Sequence, residues 1–75
     1  MQDILAPHEG KLIIVTNKDE SISVCGHLHI YRGGNKPLYI VQQHKDSNII
    51  ASATFLSDRI FEVSVDSSEI KVTLK

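Results

Sequence analysis

The segment Ser21-Ile22-Ser23-Val24-Cys25-Gly26-His27-Leu28-His29-Ile30-Tyr31-Arg32 is the longest uninterrupted alternation of apolar and polar side chains in the sequence. Successive side chains of a β-strand point to opposite faces, so the alternation predicts a strand with one aliphatic and one polar face. The aliphatic face comprises Ile22, Val24, Leu28 and Ile30, and the polar face comprises Ser23, Cys25, His27, His29 and Tyr31. Gly26 falls on the aliphatic face, which indicates either a close approach of a neighbouring backbone or a tight corner.

The rest of the chain predicts further short strands at residues 11–16, 38–43, 49–55, 60–65 and 69–75, separated by polar turns. Residues 11–16 carry apolar side chains on both faces, which favours burial on both sides. The strongest break is residues 33–37, Gly-Gly-Asn-Lys-Pro. No window shows sustained helical periodicity, so we expect one all-β domain over residues 1–75. A β-helix, a small β-sandwich and a small barrel all fit this pattern.

The composition of the chain limits the classes of partner and the cellular location that we expect. The 75 residues carry 8 Lys and Arg against 9 Asp and Glu, a net charge of -1, and no basic cluster, so nucleic acid is not an expected partner. Cys25 is the only cysteine, which excludes an internal disulfide and favours a reducing, cytoplasmic location. The longest aliphatic run, residues 12–15, is far shorter than the roughly 20 residues that span a bilayer. We therefore expect any membrane contact to be made through a partner.

The polar face of the central strand carries three side chains of types that bind zinc, Cys25, His27 and His29. Side chains spaced two apart along one strand do not converge easily on a tetrahedral ion, and the sequence has no second ligand pair. Cys25 also lacks the adjacent base and electropositive setting of a catalytic thiol. We therefore expect a polar strand face, no metal, no cofactor and no enzymatic activity.

Several segments together resemble a known family. They are Ile4-Leu5-Ala6-Pro7, then Gly10-Lys11-Leu12-Ile13-Ile14-Val15-Thr16, then Gly26-His27-Leu28-His29-Ile30-Tyr31, and later Phe55-Leu56-Ser57-Asp58-Arg59-Ile60. In these the chain resembles the C-terminal domain of MinC, the septum-site-determining cell-division inhibitor family. That family has an Ile-x-Ala-Pro segment and a Gly-Asn-Ile-His-Val-Tyr-Gly strand at nearly this spacing. The chain departs from it at Arg32, where the family has Gly, and lacks the family's Arg-Gly-Arg-Ala-Leu-Ala-Gly run.

The resemblance implies a right-handed β-helix of a few short coils that forms a homodimer and binds the ATPase MinD, with FtsZ as the indirect target. The chain has no counterpart of the inhibitory N-terminal domain of MinC, so we do not expect it to inhibit FtsZ alone. Under this resemblance the partner-binding residues are Gln2, Asp3, Pro7, Asn17, Lys18, Asp19, Glu20 and Ser21. The open ends and flat apolar side of a short β-helix independently favour a dimer. The alternative is an unrelated small β-rich binding or accessory protein, of phage or bacterial type, with no catalytic activity.

Overall fold

The protein is described by a computed structural model that covers residues 4–75. Its strands are β1 (Leu12–Asn17), β2 (Ser23–Tyr31), β3 (Leu38–Lys45), β4 (Asn48–Leu56), β5 (Ile60–Val65) and β6 (Ile70–Leu74). Two single 3-10 turns, η1 (Ala6–His8) and η2 (Ser57–Arg59), precede β1 and β5. The prediction of an all-β chain is confirmed, and each predicted strand is present with its ends shifted by at most two residues.

All six strands form one mixed sheet in the order β4-β3-β2-β1-β6-β5. In the described part of the chain, four of the five pairings are antiparallel, and only β1 and β6 run parallel. The right-handed β-helix is not confirmed, because successive coils of a β-helix stack parallel strands. Within residues 4–75 the sandwich and the closed barrel are not observed either, since the strands there form a single open sheet with β4 and β5 as its edges.

The sheet is strongly curled. A flat sheet of this order would hold its edges about 24 Å apart, because neighbouring strands are spaced by about 4.8 Å. Only the three residues of η2 connect β4 at one edge to β5 at the other, and a connection of that length reaches at most about 14 Å. The backbone N–H of Lys75, after β6, also donates to the carbonyl of Arg59 in η2 at 2.8 Å. The two halves of the sheet therefore bend towards each other around the core.

The core lies on the inner face of this curl. It is one cluster of buried side chains, comprising Leu5, Ile13, Val15, Val24, Leu28, Tyr39, Val41, Phe55, Ile70 and Val72. Strand register aligns them in rows, with Ile13 opposite Ile70 and Val15 opposite Val72 across the parallel pair. Leu5, fully buried although it precedes the first strand, adds to the core from outside the sheet. Because a chain of this size has a thin core, we expect truncation of any one of these side chains to destabilise it.

One detail of the predicted burial is wrong and one holds only in part. Ile22 is 62% exposed, because β2 begins only at Ser23 and Ile22 belongs to the preceding turn. On β1 the inner residues Ile13 and Val15 are buried, while the outer face passes from the exposed Leu12 through the half-buried Ile14 to the buried Thr16. The remaining alternation of β2 is confirmed, since Val24 and Leu28 are buried and Ile30 is half-buried.

The prediction of close backbone contact at Gly26 is confirmed. Gly26 is buried opposite Ile13 of β1, and β3 runs along its other side. A Cβ atom at Gly26 would overlap the carbonyl group of Gln42 in β3. The absence of a side chain here therefore permits β2 and β3 to lie as close as they do.

Candidate functional site

The turn between β1 and β2 holds five of the residues predicted to contact a partner. Its shape is set by hydrogen bonds from side chains of the turn to backbone N–H groups that have no backbone acceptor there. The Asn17 side chain donates to the Ser21 hydroxyl at 2.9 Å and accepts the N–H of Ile22 at 3.2 Å. The Asp19 carboxylate accepts the N–H of Ser21 at 3.1 Å, and Glu20 adopts a left-handed backbone with φ of 59°. The turn is therefore an ordered, exposed feature.

Two further contacts attach this turn to the distant end of the chain. The Lys71 ammonium on β6 donates to Glu20 Oε1 at 3.0 Å. The Lys18 ammonium lies 4.0 Å from the centroid of the Phe61 ring on β5. Lys18 and Glu20 thus each contact a strand that follows them by many residues. The predicted site is therefore held in place by contacts with β5 and β6.

Neighbouring groups also shift the pKa values of charged side chains in and beside the turn. The N–H of Ser21, followed by the Ser21 hydroxyl, lowers the pKa of the Asp19 carboxyl below its usual value. Glu20 raises the pKa of Lys71 by hydrogen bonding and by its negative charge. Both interactions stabilise the charged forms, so the turn presents fixed charges of both signs at neutral pH.

The remaining predicted partner residues lie elsewhere. Pro7 is exposed in η1, before β1, whereas the turn follows β1. The six-residue strand between them is about 20 Å long at 3.3 Å per residue, so Pro7 and the turn mark opposite ends of it. Gln2 and Asp3 lie outside the residues that the structure describes. The structure therefore groups Asn17, Lys18, Asp19, Glu20 and Ser21 but does not bring Pro7 to them.

Cys25, His27 and His29 line the outer face of β2, as the alternation predicts. Cys25 is half-buried and free, and both histidines are exposed. His27 lies beside Gln42 and His29 beside Ile40 on the neighbouring strand. Within residues 4–75 no group of three or more His, Cys, Asp or Glu side chains is arranged to hold a metal ion.

A shallow cleft of about 360 Å³ lies between the start of β1 and the turn from β5 to β6. Asp66 lines it, and its carboxylate accepts the N–H groups of Ser68 at 2.9 Å and Glu69 at 2.8 Å. These two bonds lower the pKa of Asp66, the Ser68 contact being the larger cause. The carboxylate is therefore committed to holding the turn in place. His8 also lines the cleft, and its buried Nδ1 has no hydrogen-bond partner within residues 4–75.

The two sheet edges differ in how they are protected. β5 is six residues long, carries Glu62 and contains a bulge between Ile60 and Glu62. β4 is nine residues long with the sequence Asn-Ile-Ile-Ala-Ser-Ala-Thr-Phe-Leu and has no charged side chain. Near its start, Ile49 and Ile50 are 55% and 54% exposed. Edge strands without charges, proline or coverage are sites for pairing with another strand.

The sequence did not predict the free edge strand β4 or the contacts that the β1–β2 turn makes with β5 and β6. The small residues Ala51, Ser52 and Ala53 weaken the strand signal of β4, although the lack of charge in residues 48–56 was visible. The Lys18–Phe61 and Glu20–Lys71 contacts depend on the position of β6 between β1 and β5. Nothing local in the sequence indicates that position.

No protein-family model, no curated protein and no solved structure matches this chain. In residues 4–75 the only helical segments are the two short 3-10 turns, and no helix could cross a membrane.

Proposed function

We propose that this chain is a non-enzymatic interaction module that works as a homodimer. The observation that carries the proposal is the free edge strand β4, nine residues long, uncharged and bearing the exposed Ile49 and Ile50. An edge of this kind offers a row of unpaired backbone donors and acceptors to a second chain. Its exposed isoleucines add apolar area that association would remove from water.

A narrower form of the proposal places the module in a cytoplasmic, MinC-like role. Its partner is then a MinD-type ATPase that brings it to the membrane, and FtsZ is the indirect target. The segment likenesses described above support this form, and the ordered turn with Asp19 and Glu20 gives such a partner a rigid polar surface. The right-handed β-helix that belongs with a MinC-like domain has parallel coils. The antiparallel pairings of β1 to β4 do not match such coils, so this narrower form rests on the segment likenesses alone.

The second candidate is an unrelated small β-rich binding or accessory protein. The strand order favours it, because a run of antiparallel neighbours from β1 to β4 is a meander with no relation to stacked coils. This candidate keeps the interaction role and the lack of catalysis but has no MinD-type partner.

The test is the solution mass by light scattering, alone and with a purified MinD-type ATPase in the presence and absence of ATP. The narrower proposal expects a dimer that forms a larger complex only with ATP. A dimer that ignores the ATPase supports the accessory protein, and a monomer at every concentration contradicts the homodimer. If the ATPase binds, the double charge reversal Asp19→Lys with Glu20→Lys should weaken binding. Asp46→Lys with Asp58→Lys, an equal charge reversal at exposed carboxylates outside this turn, serves as the matched control.

A further inference from the structure

A second concave surface lies in the loop between β2 and β3, at the opposite end of β2 from the β1–β2 turn. It is a pocket of about 240 Å³ lined by Arg32, Gly34, Asn35, Lys36 and Pro37. Arg32 and Lys36 are cations, and none of the described residues that line the pocket is a carboxylate. Concave sites with a few charged groups are the usual places where proteins bind a ligand. The charge of this pocket favours a negatively charged group.

The chain already places one of its own carboxylates on this pocket. Arg32 Nη1 donates to Glu9 Oε1 at 3.3 Å and to Glu9 Oε2 at 3.4 Å. Both distances are longer than the roughly 2.7–2.9 Å of a strong charged hydrogen bond. The side chains of Arg32 and Glu9 also remain 50% and 44% exposed, and exposed ion pairs are weak. A carboxylate from another molecule can therefore replace Glu9 at Arg32.

An apolar row on the outer face of the sheet adjoins the pocket. Tyr31 pairs with Leu38, and Leu38 pairs with Leu56, so these three side chains, which we call the Tyr31 row, lie side by side. The next row contains the buried Tyr39 and Phe55 and faces the core, so the Tyr31 row faces solvent. Tyr31 is 59% exposed, and both leucines are half-buried.

The Tyr31 ring connects this row to the pocket. A Cβ atom at Gly33 would overlap the hydroxyl group and ring carbons of Tyr31, so the ring lies against the backbone of the loop. Gly33 stands between Arg32 and Gly34, and both of these line the pocket. Arginine and tyrosine are enriched at protein interfaces. The loop therefore presents a cationic pocket and an apolar surface next to each other.

We infer that the β2–β3 loop binds a carboxylate of a protein partner, carried on a short segment with apolar side chains. The carboxylate replaces Glu9 at Arg32, with Lys36 in the same pocket, and the apolar side chains cover the Tyr31 row. This inference rests on the proposed interaction module and specifies the chemistry of its partner. The guanidinium favours an acid over an amide or an amine, because its fork of N–H groups matches the two carboxylate oxygens. The Tyr31 row favours an apolar segment over a fully polar one, because binding removes its apolar area from water.

The test is an NMR titration of the isotope-labelled chain with short synthetic peptides. The acidic apolar peptide is acetyl-Leu-Glu-Leu-Glu-Leu-amide. One control, acetyl-Leu-Gln-Leu-Gln-Leu-amide, lacks the carboxylates, and the other, acetyl-Ser-Glu-Ser-Glu-Ser-amide, lacks the apolar side chains. The acidic apolar peptide should shift the amide signals of residues 32–36 and bind at least about threefold more tightly than either control.

Variants of the charged residues test the position of the site. Arg32→Gln and Lys36→Gln should each weaken binding of the acidic apolar peptide about threefold, whereas Glu9→Gln should strengthen it by a similar factor because the internal competitor is removed. The matched controls are Lys45→Gln and Glu62→Gln, which should leave the affinity unchanged. Lys45 ends β3 about 23 Å from the loop at 3.3 Å per residue, and Glu62 lies on the β5 edge. All five side chains are exposed, so we expect the variants to fold.

The outcomes separate this inference from the proposed homodimer. Binding that Arg32→Gln and Lys36→Gln weaken and Glu9→Gln strengthens supports the site. Equal binding of the glutamine peptide overturns the carboxylate, and equal binding of the serine peptide overturns the role of the Tyr31 row. Shifts confined to other residues, or no shift with any peptide, overturn the site as a whole. A dimer in light scattering that binds none of the peptides keeps the homodimer and overturns the site, whereas a monomer that binds the acidic apolar peptide does the reverse.

Discussion

The ammonium nitrogen of Lys18 lies 4.0 Å from the centroid of the Phe61 ring, and this contact connects the β1–β2 turn to the protected edge of the sheet. Lys18 adjoins Asp19, whose carboxylate shapes the turn, and Glu20, which binds Lys71 at 3.0 Å. The turn is thus held at two points by β5 and β6. If the proposed partner binds this turn, the contacts that already hold the turn reduce the ordering cost of binding.

We expect Lys18 and Phe61 to be energetically coupled. An exposed cation–π contact contributes about 0.5–1 kcal/mol, so Lys18→Met and Phe61→Leu should show a coupling of that size in a double-mutant cycle. The measurement is urea unfolding of the two single variants and the double variant. Lys45→Met paired with Phe61→Leu is the control, because Lys45 ends β3 on the opposite half of the sheet. Strict additivity for Lys18 and Phe61 would show that the contact contributes nothing.

Gly26→Ala should destabilise the chain strongly. Its Cβ would overlap the carbonyl group of Gln42, and backbone atoms cannot move aside as a flexible side chain can. Overpacking costs about 1–3 kcal/mol where side chains can adjust, so we expect a loss at or above the upper end of that range. Gly34→Ala is the control, because its nearest neighbour would be the Lys36 carbonyl at 3.9 Å, an ordinary contact. Equal unfolding midpoints for the two variants would contradict the close approach of β2 and β3.

Val63→Asp should cost roughly 2–3 kcal/mol, because Val63 packs against the core cluster and a carboxylate there loses water without gaining a partner. For a domain of this size each kcal/mol corresponds to a shift of about 4–8 °C in melting temperature. Val65 lies on the same strand and the same side but is 57% exposed, so Val65→Asp should cost less than about 1 kcal/mol. The ratio of the two shifts tests the register of β5. Similar melting temperatures would show that Val63 is not on the core side.

Stability should fall in acid partly through Asp66. The folded-state pKa of Asp66 is lowered from 3.8 by the N–H groups of Ser68 and Glu69, so its contribution is present above about pH 4. It is lost as the pH falls through the folded-state pKa, because the protonated carboxyl accepts these bonds less well. Asp66→Asn cannot titrate, so the difference in urea midpoint between wild type and variant should shrink from pH 6 to pH 2. A constant difference would show that the carboxylate charge adds nothing to the turn.

The strand positions and their faces are largely predictable from local pattern. Val24 and Leu28 face the core and His27 and His29 face outwards, because the two-residue period of a strand depends only on the order of side chains. The close approach at Gly26 is predictable for the same reason. The prediction failed for Ile22, because the Asn17 side chain accepts the Ile22 N–H within the turn and β2 begins only at Ser23, two residues after the predicted start.

The sequence by itself determined that this chain forms short strands with one apolar face, since alternation and turn residues act over a few positions. Only the tertiary structure decided how the strands pair. The insertion of β6 between β1 and β5, parallel to β1, depends on contacts between residues far apart in the chain, such as Val15 with Val72. That placement brings Lys71 to Glu20, leaves β4 as an unprotected edge and replaces the expected coils with a curled sheet. The alternation of apolar and polar side chains does not specify this strand order. An apolar strand face can be buried by any neighbouring element that presents apolar side chains to it.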